Sequence, residues 1–220
     1  MRISDWEVHG LKQAMKSIDF SYGRDLGWND RERVLKTLAR NDLNSGELNV
    51  LTGVTVSFNV EATIKWWQQA ERYHWFQINM SESVMHSLCN PNIKIDSSCF
   101  DIDTPFEIVK SFIRNRNEMV DGEGHLTRDD KLALIYSLPV GYLEKARVTT
   151  NYLQLMTIYK QRYNHQLKEW RLFCTWVAEK LPKMKELLEV NGCYRKDTQS
   201  LSLMNMVCHG VLESEQTTTM

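Results

Sequence analysis

The chain has 220 residues and carries 27 basic against 28 acidic side chains, a formal net charge of −1. So even a balance argues against binding duplex nucleic acid over a broad face, which needs many uncompensated Lys and Arg. The length suits one domain with a sizeable core.

The first ten residues, MRISDWEVHG, hold no apolar leader segment, and no run approaches the roughly 20 apolar residues of a membrane span; a soluble, cytoplasmic protein is expected. Ser4 and Glu7 have the S-x-x-E spacing of a capping box, which predicts a first helix with Leu11, Met15 and Ile18 on its apolar stripe. Gly23 and Gly27 mark a loop over 21–28, and Asn29 is expected to cap a second helix with Val34, Leu35 and Leu38 facing inward. After a turn over 41–46, Val54, Val56, Phe58 and Val60 alternate with Thr55, Ser57 and Asn59 as in a strand. From Glu61 a helix is expected, with Ile64, Trp67, Ala70 and Tyr73 three residues apart and Gln69 and Arg72 on one side. A polar exit follows, with Gln77, Asn79, Ser81 and Ser83.

Residues 84–88 are expected to extend a helix, which Asn90-Pro91-Asn92 breaks. Residues 94–103 are a loop or an edge strand. Thr104-Pro105-Phe106-Glu107 predicts a helix start whose buried side is Phe106, Val109, Phe112 and Ile113. Past a linker with Gly122 and Gly124, Thr127 caps a helix that must stop near Leu138-Pro139. From Leu143 one long helix is expected, its stripe running from Tyr152 through Tyr159, Trp170 and Phe173 to Val177. Pro182 ends it, and a short helix over 183–190 closes at Gly192. Residues 1–209 are expected to make one α+β domain, and 210–220 a frayed tail. Cys89, Cys99, Cys174, Cys193 and Cys208 are odd in number and contain no C-x-x-C pair, so reduced thiols and no metal are expected.

Two segments together resemble the flavin-dependent thymidylate synthases, the ThyX family. That family has a Gln three residues before an Arg-His-Arg triplet, then seven residues and a Ser. Gln69 and Arg72 match, while Tyr73 stands at the His and His74 at the second Arg. The family's loop Asn falls on Asn79, and Glu82 takes the Ser position between Ser81 and Ser83. In the second segment the family's Leu-Pro, Asn, Arg and Trp fall on Leu138-Pro139, Asn151, Arg162 and Trp170. Eleven residues of helix put Asn151 and Arg162 about 16 Å apart on one side. The resemblance covers 46–82 and 138–181.

It implies a small antiparallel sheet under a helix-rich layer, FAD as cofactor, NADPH and methylenetetrahydrofolate as co-substrates, and dUMP as the nucleotide methylated at C5. It implies that Arg162 polarises the pyrimidine and Gln69 orients it, with Ser81 and Ser83 completing the nucleotide site. Arg72, His74, Asn79 and Asn151 would line the flavin, and the assembly would be a homotetramer, which the seven Trp also suggested. The chain departs from the family at Val84 and Ile135, which replace arginines, at Leu153 and Thr157, which replace flavin contacts, and at Met80, which replaces a Glu. An aliphatic side chain cannot supply the bidentate fork of a guanidinium. Arg147, Lys160 and Arg171 are candidate substitutes. Two alternatives stay open: a nucleotide-binding or protein-interaction protein on the same fold without turnover, phage-encoded or from another mobile element, and an unrelated helical protein in which Trp66, Trp67, Trp75 and Phe76 serve as core or as a partner surface.

Overall fold

The computed structural model describes residues 1–120 and 126–194; Gly122, Gly124, Cys208 and the tail over 210–220 lie outside them. The chain opens with a strand, β1 (Arg2–His9), where the capping-box spacing had suggested a helix. Ser4 and Glu7 instead face Asn59 and Ser57 of β2 (Thr55–Thr63). Between them the register slips, and Asp5 sits there at φ 49. Asp tolerates that left-handed backbone, and a bulge absorbs the odd residue. From β4 (Leu143–Asn151) the Arg147 guanidinium donates to the Asp5 carbonyl at 2.6 Å and to its carboxylate at 2.7 Å, which fixes the bulge.

Gly10 then turns the chain at φ 81 into α1 (Leu11–Tyr22); a Cβ there would lie 2.3 Å from the Gly53 carbonyl oxygen. In α2 (Trp28–Leu38) the capping position is Gly27, and Asn29 lies inside the helix. The expected strand at 54–60 runs on to Thr63, and α3 (Ile64–Ala70) begins three residues later than Glu61. Pairing explains the extension: Glu61, Ala62 and Thr63 still oppose Lys145, Glu144 and Leu143 of β4.

The remaining elements are β3 (Gln77–Ser81), α4 (Val84–Cys89), α5 (Phe106–Val120), α6 (Arg128–Ser137), α7 (Tyr152–Arg162), α8 (Lys168–Lys180) and α9 (Met184–Val190). All strand pairs are antiparallel, in the order β1-β2-β4-β3, so the expected α+β class with a small antiparallel sheet is correct. Thr127 forms the expected cap, completed by Asp130. At α5 Phe106 is 66% exposed, and the inward positions are Val109, Phe112, Arg116 and Val120. The single long helix from Leu143 is not present. It is β4, α7 and α8 in succession, because Ala146, Val148 and Thr150 alternate inward and Asn151 caps α7 by accepting from the Gln154 amide at 2.9 Å.

One face of the sheet, with Val56, Phe58, Val60 and Val148, is covered by α7 and α8 and packed with Trp66, Phe76, Trp170, Phe173 and Trp176. Four of the seven Trp (66, 67, 170 and 176) are thus core, so the Trp count gives no support to an oligomer. A second cluster of Leu88, Ile95, Phe100, Val109, Phe112 and Tyr142 lies between α4 and α5. There the buried Arg116 guanidinium donates to the carbonyls of Leu88, Asn90 and Ile93.

Candidate functional site

At the end of β2, Thr63 fastens three elements together. Its hydroxyl accepts from the Trp66 amide at 3.1 Å, opening α3, and donates to Glu169 of α8 at 2.8 Å. The Thr63 amide donates to the other Glu169 oxygen at 2.9 Å. Glu169 is 3% exposed, and burial raises its carboxyl pKa in spite of the two accepted hydrogen bonds. This strut holds α3 against α8, and the next helical turn carries Gln69 to Trp170.

Gln69 Oε1 accepts from Trp170 Nε1 at 2.9 Å and from Arg162 Nη1 at 3.5 Å. Arg162, the last residue of α7, also donates from Nε to the Tyr73 hydroxyl at 2.8 Å, and that hydroxyl donates to Gln161 Oε1 at 3.0 Å. The Arg162 guanidinium carbon stands 5.2 Å from the centre of the Trp170 ring and 5.8 Å from that of Tyr73. The cation thus lies near two aromatic rings, which meet each other edge-on at 5.9 Å, an arrangement that holds a guanidinium in place. Burial raises the phenol pKa of Tyr73, so it stays a neutral donor and acceptor. The family resemblance named Gln69 and Arg162 for one nucleotide site, and the structure places the two side by side with Trp170.

The turn over 71–76 lies along α7. Tyr73 reaches its C-terminal end, and the Trp75 amide donates to Gln154 Oε1 at 3.3 Å, one turn in from the Asn151 cap. Here the ring of His74 packs edge-on against Trp75, which is 57% exposed. Asn151 and His74 are therefore at one end of α7 and Gln69 and Arg162 at the other. Arg72 lies beyond the last turn of α3, exposed, and has no side-chain partner among the described residues, so the shared helix face with Gln69 is absent. Asn79 is the unmatched residue between Ile78 and Met80 in β3, also exposed. Ser81 opposes Ala146, and Ser83 caps α4 through the His86 amide. No described hydrogen bond joins Ser81, Ser83 or Asn79 to Arg162.

Of the candidate substitute cations, Arg147 is paired with Asp5 and Lys160 with Asp42 at 3.6 Å. Arg171 donates to the carbonyls of His165 and Gln166 and so stands beside the Trp170 end of the site. His165 was not foreseen. Its Nδ1 accepts from the Leu167 amide, its ring meets Trp170 edge-on at 6.5 Å, and burial, then Arg162 and Arg171, lower its pKa. It is held neutral, with Nε2 carrying the proton. A His in the seam between two helices has no periodic signal, and the apolar stripe runs on through Tyr163, Leu167 and Trp170 without marking the turn.

No protein-family model matches the chain, and no protein of curated function matches it in sequence. Solved structures do match in fold. The flavin-dependent thymidylate synthase ThyX from Helicobacter pylori, complexed with FAD and dUMP, superposes with a TM-score of 0.67 at 12% identity, over 89% of this chain and all of that one. A second structure of that enzyme with the same ligands gives 0.66 at 12% identity, over 88% and 98%. A UMP/dUMP methylase, PolB from Streptomyces cacaoi, bound with 5-Br dUMP, gives 0.59 at 14% identity, over 87% and 95%. No helix among the described residues is long and apolar enough to cross a membrane. The chain has the fold of the flavin-dependent thymidylate synthases, carried by a sequence far from theirs.

Proposed function

We propose that this protein is a ThyX-like flavoprotein that modifies C5 of a pyrimidine nucleotide, with dUMP methylation as the leading reaction. The observation that carries the reading is the convergence of Gln69 and Arg162 on Trp170 in a fold whose solved examples hold dUMP. Arg162 would polarise the pyrimidine carbonyl and Gln69 would fix its orientation, with Ser81 and Ser83 as further nucleotide contacts.

Asn151 and His74 at the other end of α7, with Arg72 past α3 and Asn79 in β3, are the candidates to hold a flavin. Arg72 offers a guanidinium without a side-chain partner among the described residues for a pyrophosphate, Asn79 an exposed amide, Asn151 an Nδ2 left over from its cap, and His74 with Trp75 an exposed aromatic pair for stacking. FAD would supply the redox chemistry; the chain's part is to orient the nucleotide and to supply fixed charge beside it. NADPH and methylenetetrahydrofolate enter as the family's co-substrates, and a homotetramer in the cytoplasm as its assembly. Size-exclusion chromatography with light scattering and visible detection tests the reading. The expected result is a peak of tetramer mass that absorbs as flavin; a colourless monomer that takes up no added FAD would defeat both the cofactor and the assembly.

A second reading has its own support: a nucleotide-binding protein, phage-encoded, that has kept the fold and lost turnover. Arg147 and Lys160 are spent on Asp5 and Asp42, so they do not refill the places of the arginines absent at Val84 and Ile135.

A further inference from the structure

We infer that Tyr73 is a positioning residue for Arg162, and that with Trp170 it turns the Gln69–Arg162 pair into a purely hydrogen-donating surface that accepts an oxo edge and rejects an amino edge. The ligand half rests on the nucleotide reading above; the positioning half stands without it.

The argument starts from Gln69. Its two nearest polar neighbours, Trp170 Nε1–H and an Arg162 N–H, are both donors, and neither can accept. The amide can therefore present only its oxygen to them, since a flip would set Nε2 against two donors. Nε2 is left with both hydrogens, without a partner among the described residues. Arg162 is constrained in the same way. Its Nε is used by the Tyr73 hydroxyl, and that hydroxyl's own proton goes to Gln161, so the phenol oxygen can only accept from Arg162. What remains toward a ligand is Nη2, one hydrogen on Nη1 and Gln69 Nε2, all donors. Set against the C4 edge of the base, where uracil and cytosine differ, such a group is satisfied by the carbonyl of uracil and meets donor with donor at the exocyclic amine of cytosine, leaving part-buried donors unpaired.

A Phe at 73 keeps the ring against Trp170 and deletes only the hydroxyl. In Tyr73→Phe the Arg162 Nε–H, followed by its nitrogen-15 signal and assigned by its loss in Arg162→Lys, should exchange with solvent at least about tenfold faster. Affinity for dUMP should fall about tenfold, and in the wild type dUMP should bind at least about tenfold more tightly than dCMP. Gln161→Ala, at an exposed position, should give the same change in exchange to a smaller degree, and serves if Tyr73→Phe does not fold. Unchanged exchange in both variants overturns the positioning role. Faster exchange with no dUMP binding to the wild type keeps the positioning role and removes the nucleotide reading. Equal binding of dUMP and dCMP overturns the donor-only surface at the C4 edge.

Discussion

Replacing Arg162 with Ala is expected to weaken dUMP binding about 100-fold while the protein stays folded. Charged hydrogen bonds contribute about 1.5–3 kcal/mol each, and tenfold in affinity is about 1.4 kcal/mol. Arg162 is also part of the structure, since it bridges Tyr73 and Trp170. Its loss removes a cation–π contact of about 0.5–1 kcal/mol and leaves a phenol oxygen short of one donor. The melting temperature should therefore fall by a few degrees, taking about 2–4 °C per kcal/mol for a chain of this size. Calorimetric titration beside a thermal melt separates the two effects. A melt lowered by more than about 10 °C with dUMP binding intact would make Arg162 a structural residue.

The largest loss of stability is expected at Glu169. Glu169→Ala strands the Thr63 amide and leaves a cavity where α8 meets α3, at a cost of about 2–4 kcal/mol, or about 5–15 °C in melting temperature. Glu169→Gln keeps an acceptor for that amide and should cost much less. The two also differ with pH. The folded pKa of Glu169 stands above its ordinary value, so the folded state holds this proton longer than the unfolded state. Its contribution is full below the usual carboxylate range and is lost as pH rises through the raised pKa. The wild type should therefore lose stability relative to Glu169→Gln as the pH is raised across that window. A constant difference between the two across the range would mean that the buried carboxyl is not perturbed.

The strand at 54–60 could be read from the sequence because alternation is a local signal, whereas Gln69 and Arg162, 93 residues apart, were linked only by the family resemblance. Other features could not be read because tertiary pairing outweighed local pattern. The S-x-x-E of Ser4 and Glu7 is as good a cap signal as that of Thr127, yet β2 offers it a free edge and the bulge at Asp5 lets it pair. The three-to-four apolar spacing of residues 152–177 drew residues 143–151 into one helix, but Val148, Thr149 and Thr150 are β-branched and lie beside the long strand β2. The separation of Asn151 from Arg162 along α7 survived this error, since Asn151 became the cap of the helix and not an interior residue. Tyr73 looked like a defect in the family triplet. Only the fold shows that its hydroxyl reaches Arg162, 89 residues away.

The most direct test of the central claim is a thermal melt of the wild type titrated with FAD and then with dUMP. A ligand that binds only the folded state raises stability with the logarithm of its concentration once its site is saturated. FAD is expected to raise the melting temperature in this way, and dUMP to add to the shift through Gln69 and Arg162. FAD stabilising alone would point to a flavoprotein with another substrate, and dUMP alone to the nucleotide-binding protein without turnover. No shift with either ligand at concentrations far above micromolar would contradict the account.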